Sequence, residues 1–349
     1  MNNNEEILIQ LKGLTRRFGS FYAVSNVNLE IKRGEIVGFL GPNGAGKTTT
    51  MKMMAYLLKP TKGEIWIRNN GILEKLTPKN RDTLLDNIGF LIEIPSFYGD
   101  MTPRQILSYF ALLKGYPRKK VKKRVSEIVE MFKLSEWVNK KIKTFSKGMR
   151  QKIGICSAVV HDPEIIVLDE PQTGLDPKAR RDVRDFIMNL KQMGKTIFLS
   201  SHLLYEISEV ADRIAIINQG NLIAFDTLDN LELKARKSVI NFELYNYSQY
   251  NLSDLLQRLN KILLPLTGTE GGETNKVIFN ENSKVFEVAF NGVPENQLKI
   301  HKALFENKYD LLEFSVPKAN LLENLFIGLT DNSNKEISYN KTKTNIEAN

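Results

Sequence analysis

Two clusters in this chain have the residue types and spacing for phosphate chemistry. The first is Gly41-Pro42-Asn43-Gly44-Ala45-Gly46-Lys47-Thr48-Thr49. It follows the apolar run Ile36–Leu40 and opens a segment rich in methionine, which is the strand, glycine turn and helix start that a phosphate-binding loop (P-loop) requires. Glycines let the backbone N–H groups turn inward around phosphate oxygens, and the helix N-terminus adds partial positive charge at the same point. Lys47 is expected to reach the β- and γ-phosphates and the Thr48 hydroxyl to ligate Mg²⁺. The ligand implied is a nucleoside triphosphate.

The second cluster is Asp169-Glu170, directly behind the apolar run Ile165–Leu168. Ligand chemistry in open α/β sheets gathers at the carboxyl ends of strands, where both acids fall. Asp169 is expected to hold Mg²⁺, directly or through water, and Glu170 to polarise a water attacking the γ-phosphate. Such hydrolysis needs positioning and charge neutralisation more than covalent chemistry.

The elements that must position these groups are legible in outline. Residues 7–14 and 21–31 alternate as strands of an outer sheet, with shorter strands at 64–67 and 88–92. From about Thr102 to Val160 apolar residues recur at helical spacing. The runs 165–168 and 196–200 are apolar enough for strands buried on both faces. A hairpin is expected at 214–217 and 221–225, joined through Asn218-Gln219-Gly220. Strands alternating with helices imply an α/β class, with a parallel core and an antiparallel sheet beside it.

A third constellation points to a family. Ser146-Lys147-Gly148-Met149-Arg150-Gln151 stands before Asp169, Pro171-Gln172-Thr173-Gly174-Leu175-Asp176-Pro177 follows Glu170, and His202 follows the strand ending at Ser200. This order resembles the ATP-binding cassette (ABC) ATPases over roughly residues 5–230, and Phe97-Tyr98 with the serine–glycine run resembles the bacitracin-type export branch. The resemblance implies ATP and Mg²⁺, and a dimer of cassettes, homomeric or heteromeric, driving a separately encoded multi-span permease. It places the chain peripherally on the cytoplasmic side of the cell membrane. It further implies that Ser146 and Gly148 close over the phosphate bound by the other cassette, that Asp176 couples the two sites, and that His202 contacts the γ-phosphate. Phe18 matches the aromatic that stacks on adenine. Glu93 stands where the family usually has a glutamine near the metal.

The fold expected is therefore an α/β P-loop NTPase cassette at 1–230, with a helical subdomain at about 95–160. A small C-terminal α/β accessory domain should follow at 231–330 and a disordered polar tail at 331–349. The alternative class is a soluble ABC-type ATPase acting on nucleic acid or ribosomes. One cassette without sustained heptads or a recognisable nucleic-acid module disfavours it. The single cysteine, Cys156, excludes a disulfide within the chain and reads as a buried small residue. His161 reads as structural. No apolar stretch approaches a membrane span, and the polar start Met1–Glu6 is unlike a signal peptide. The net charge is +9, with six cations in the seven residues Arg118–Arg124. That run reads either as a solvated helix face or as a contact for anionic lipid or an acidic partner.

Overall fold

Strands apolar at every position, such as Ile165–Leu168, have to be covered on both faces. The computed structural model, which describes residues 6–93, 95–235, 238–268, 276–281 and 283–316, meets that demand with layers of sheet and helix. The chain divides into two compact units, Met1–Leu228 and Asp229–Asn349.

In chain order the first unit contains β1 (Ile7–Phe18), β2 (Phe21–Lys32), β3 (Ile36–Leu40), α1 (Lys47–Met54), β4 (Lys62–Asn69), β5 (Ile72–Lys75), α2 (Arg81–Leu85) and β6 (Ile88–Leu91). It continues with α3 (Pro103–Leu113), α4 (Arg118–Met131), α5 (Lys147–Val159), β7 (Ile165–Leu168), α6 (Pro177–Gln192), β8 (Thr196–Ser201), α7 (Leu204–Ser208), β9 (Arg213–Asn218) and β10 (Asn221–Thr227). The core sheet has the order β10-β9-β3-β8-β7-β6. Its strands β6, β7, β8, β3 and β9 run parallel, and β10 returns antiparallel along β9. A second, antiparallel sheet has the order β2-β1-β4-β5. Leu11, Val27 and Ile31 of that sheet join Phe39, Phe198 and Val167 of the core sheet in one buried cluster, with Met51, Met53 and Met54 of α1 packed among them. The methionine-rich start of the helix is thus a core face, where flexible thioethers fill irregular space between sheets.

The segment between β6 and β7 carries α3, α4 and α5. Helix α3 begins at a capping box, Thr102 with Gln105, and has Pro103 in its first turn, the combination that satisfies free N–H groups at a helix start. Two backbone hydrogen bonds draw the ends of the α3–α4 portion together: Lys143 N donates to Gly99 O at 2.9 Å and Ile142 N to Met101 O at 3.0 Å. At the far end of α4, the Phe132 ring centroid lies 3.8 Å from that of Phe186 on α6. Among the described residues no helix is long and apolar enough to cross a membrane.

Helix α8 (Leu228–Ala235) stands at the boundary of the two units. The second unit contains β11 (Ser238–Leu244), α9 (Leu252–Leu263), β12 (Ile278–Asn280), β13 (Val285–Phe290), α10 (Pro294–Glu306) and β14 (Leu311–Ser315). Its sheet is antiparallel throughout, in the order β12-β13-β11-β14. Phe242, Phe286 and Val288 from the sheet pack on Leu255 and Leu259 of α9 and on Ile300 and Leu304 of α10. The expected disordered tail at 331–349 and the closing segment from Pro317 lie outside the described residues.

Candidate active site

The phosphate loop leaves the buried strand β3 and enters α1 at Lys47. Its tight course is fixed from outside. Gly46 has φ +111°, and a Cβ there would come within 2.4 Å of the Ala23 carbonyl. Gly41 is equally confined, since its Cβ would meet the Ile217 carbonyl at 2.4 Å. The turn between β9 and β10 fastens the loop, with Gly220 N donating to Ala45 O at 2.9 Å. These contacts leave no room for larger side chains and point the loop toward the carboxyl ends of β7 and β8. Gly44 also lies at positive φ, with open space beyond it, so Asn43 and Gly44 are exposed at the tip of the loop and Pro42 partly so, while Gly41 and Ala45 are buried at its base. Thr49 follows Thr48 in the first turn of α1, which carries no acidic residue to oppose an anion.

Lys47, only 5% exposed, donates to Gly41 O at 2.7 Å and to Pro42 O at 3.2 Å, and lies 3.2 Å from Glu170 Oε1. Thr48 Oγ1 donates to Asp169 Oδ2 at 2.7 Å. The other Asp169 oxygen accepts from Ser200 Oγ at 2.6 Å, and the same Ser200 oxygen accepts from Glu170 N at 2.9 Å. Glu170 Oε2 is 2.7 Å from His202 Nδ1 and also receives the Thr173 hydroxyl. Burial by itself would raise the Glu170 carboxyl, but Thr173, His202 and Lys47 outweigh it and hold it below the usual carboxylate range. Glu170 is therefore ionised at neutral pH, as a water-polarising base must be. Its φ of 48° puts a non-glycine residue in the left-handed region, a local strain that its many bonds maintain.

Lys47, Thr48, Asp169, Glu170 and His202 thus form one continuous network. Ser200 and Thr173 belong to it too, and the motif spacing did not single them out. The sequence signal for Ser200 is limited to its place at the carboxyl end of the apolar run 196–200, and its closeness to Asp169 follows from the pairing of β8 with β7.

The remaining candidates make their contacts elsewhere. Glu93, at φ 64°, pairs with Lys52, one helical turn beyond Thr48. Ser146 caps α5 by accepting from Met149 N at 3.2 Å. Asp176 caps α6, accepting from Lys178 N at 3.0 Å and Ala179 N at 2.9 Å. The Ala179 amide is the main cause of its lowered carboxyl pKa. A Cβ on Gly148 would lie 3.5 Å from Leu175 and 3.7 Å from Ala179, which places the start of α5 beside the start of α6. Phe18 ends β1, 46% exposed, with the Arg16 guanidinium 4.4 Å from its ring centroid. Its other surroundings leave an aromatic ring open at the surface.

The family model described as ABC transporter matches residues 24–173. A Bacillus subtilis protein named as an uncharacterized ABC transporter ATP-binding protein, YcbN, is 37% identical over 324 residues, covering 92% of this chain and 96% of that one. The chain belongs to the ABC transporter ATP-binding proteins. The bacitracin transport ATP-binding protein BcrA of Bacillus licheniformis is 34% identical over 331 residues, 92% of this chain and 97% of that one, in agreement with the bacitracin-type branch. Among solved structures, one described as the ATP-binding subunit of an ABC transporter superposes with a TM-score of 0.59 at 27% identity, over 72% of this chain and 98% of that one. A dimeric post-hydrolysis cassette, MJ0796 bound to ADP and Pi, gives a TM-score of 0.57 at 28% identity, over 63% of this chain and 99% of that one. The fold is that of an ABC ATPase, and the chain is an ATP-binding, ATP-hydrolysing transporter subunit whose relatives form dimeric cassettes.

Proposed function

We propose that this subunit drives a separately encoded, multi-span membrane permease in the direction of export. Two cassettes, alike or different, close over ATP and reopen on hydrolysis. The observation that carries the reading is the unbroken network from Lys47 through Glu170 to His202, beside the Thr48–Asp169 pair. Lys47 would exchange its carbonyl partners for β- and γ-phosphate oxygens. Glu170 would polarise the attacking water while His202 holds that carboxylate and faces the γ-phosphate. Ser146 and Gly148, at the N-terminus of α5, would donate to the phosphate held by the opposite cassette, with Asp176 coupling the two sites. Phe18 would stack on adenine. Thr48 and Asp169 offer oxygen donors 2.7 Å apart, the hard ligands that Mg²⁺ prefers, and Glu93, paired with Lys52 of α1, would act as a further donor. Bound Mg²⁺ neutralises charge on the β- and γ-phosphate oxygens.

The permease partnership places the chain on the cytoplasmic face of the membrane, and export follows the bacitracin-transport relatives. The reading as a soluble ATPase on nucleic acid or ribosomes draws no support from them. Glu170→Gln tests the mechanism. Turnover should fall by about 10²–10⁴-fold while ATP binding persists and an ATP-bound dimer accumulates on gel filtration. Unchanged turnover overturns the assignment of Glu170. Pull-down of the tagged chain from detergent-solubilised membranes tests the partnership, and recovery of only ribosomal or DNA-associated proteins would refute it.

A further inference from the structure

The charge on α4 is not explained by the helix that bears it. Arg118, Lys119, Lys120, Lys122, Lys123 and Arg124 fall in its first two turns, and no acidic residue occupies the first turn. Cations at the N-terminal end of a helix oppose its dipole and weaken it. Arg124 alone turns inward, 7% exposed, donating to the Val159 and Val160 carbonyls at 3.1 Å and lying 3.0 Å from Asp162. It closes the C-terminal end of α5 and so has a structural task. Glu127 lies 3.9 Å from Lys123 and from Arg124. Among the described residues Arg118, Lys119, Lys120 and Lys122 have no ion-pair partner, and Arg104 on α3 has only the Asn139 amide oxygen at 3.1 Å. A solvated, salt-bridged face would show the opposite pattern, with acids interleaved.

The cations border apolar surface. A groove of about 440 Å³ runs between the two helices, where Arg104, Ser108 and Leu112 of α3 face Arg118, Lys122 and Val125 of α4. Beside it Tyr109, Leu112 and Leu113 are 55%, 43% and 65% exposed. Unpaired cations around exposed leucine and tyrosine match the interfacial zone of an anionic bilayer: phosphate outside, hydrocarbon just beneath, and aromatic residues between. We propose that the α3–α4 face binds anionic phospholipid headgroups directly. The cations hold the phosphates and Leu112 and Leu113 enter the acyl boundary, so the cassette has membrane affinity of its own, separate from any permease.

The test is flotation of the purified full chain with vesicles of phosphatidylglycerol mixed into phosphatidylcholine, against pure phosphatidylcholine. Binding should require phosphatidylglycerol and weaken with salt. Removing each cation should cost about fivefold in partition, so Arg118→Gln, Lys119→Gln and Lys122→Gln together should cost on the order of 100-fold. ATP hydrolysis by that variant in solution should be unchanged, which shows that it is folded. Lys261→Gln, Lys299→Gln and Lys302→Gln remove the same net charge from the second unit and should leave flotation nearly intact. Absence of lipid-charge dependence, or an equal loss in this control, overturns the proposal. So does flotation only with vesicles that carry a permease, which would assign the face to an acidic protein segment. None of these outcomes bears on Glu170 or on the hydrolytic mechanism.

Discussion

Replacing Ser200 with alanine removes one hydroxyl, fully buried, that serves two partners at once. It donates to Asp169 Oδ1 at 2.6 Å and accepts from Glu170 N at 2.9 Å. A hydrogen bond to a charged group contributes about 1.5–3 kcal/mol, and a buried amide left without an acceptor costs about 1–3 kcal/mol. Asp169 keeps its bond from Thr48, so the two losses overlap, and the net destabilisation expected is about 3 kcal/mol. For a unit of this size that lowers the melting midpoint by roughly 6–12 °C. Glu170 is held in its left-handed conformation partly by the same bond, so its carboxylate should drift from the place in which it would polarise the attacking water. Misplacement of that kind lowers kcat on the order of 10- to 100-fold. Scanning calorimetry of the full chain gives the first quantity, and steady-state ATP hydrolysis below the melting range gives the second. Ser200→Thr, which keeps the hydroxyl, should recover part of both. A loss under about 1 kcal/mol with unchanged kcat would refute the view that Ser200 ties the two acids together.

Burial and the nearby Lys114 charge push the His161 ring down to about 4, with the Ile88 backbone working the other way. Above neutral pH the ring is uncharged folded or unfolded and contributes nothing. As pH falls through about 6.5 the unfolded chain takes the proton first, so stability drains away until about pH 4. The loss should be about 2 kcal/mol, after a discount for the ring's partial access to solvent. His161→Leu should remove this acid-side loss, as urea melts at pH 7.5 and 4.5 would show; parallel curves for the two proteins would contradict it. Gly46→Ala should cost about 3 kcal/mol or more, because it combines a strained φ with a clash against the Ala23 backbone. ATP binding, followed by a fluorescent nucleotide analogue, should be lost with it, and near-native affinity would show that the loop tolerates a methyl group.

The phosphate loop, the buried strand before Asp169 and the order of motifs were readable in the sequence because each is local: residue type and spacing suffice. The serine at the end of β8 was not, since its role depends on β8 lying between β3 and β7, and lateral order in a sheet has no local signature. Lys52 as the partner of Glu93 is likewise a long-range pairing, whereas Thr173 stands only three residues beyond Glu170 and meets it through the course of the turn between them. Short or half-exposed strands such as β5, β12 and β14 carry too little apolar alternation to stand out from turns. The basic run at 118–124 was visible as charge, yet nothing in its spacing separates Arg124, which is buried, from its exposed neighbours. The role of Gly41 and Gly46 was read as phosphate cradling, and the structure adds that neighbouring carbonyls already exclude a side chain at both.

The two hydrogen bonds that join residues 99–101 to 142–143 give the α3–α4 segment a narrow stalk. Exchange of what lies beyond that stalk leaves the register of β6 beside β7 and the reach of Glu170 undisturbed where the graft keeps the contacts of Arg124 with the end of α5 and of Phe132 with Phe186. A lineage could therefore acquire a new docking surface by grafting a foreign hairpin of helices at this neck while inheriting its engine intact. Chimeras cut at Gly99 and Lys143 are the natural way to transplant partner preference from one transporter to another.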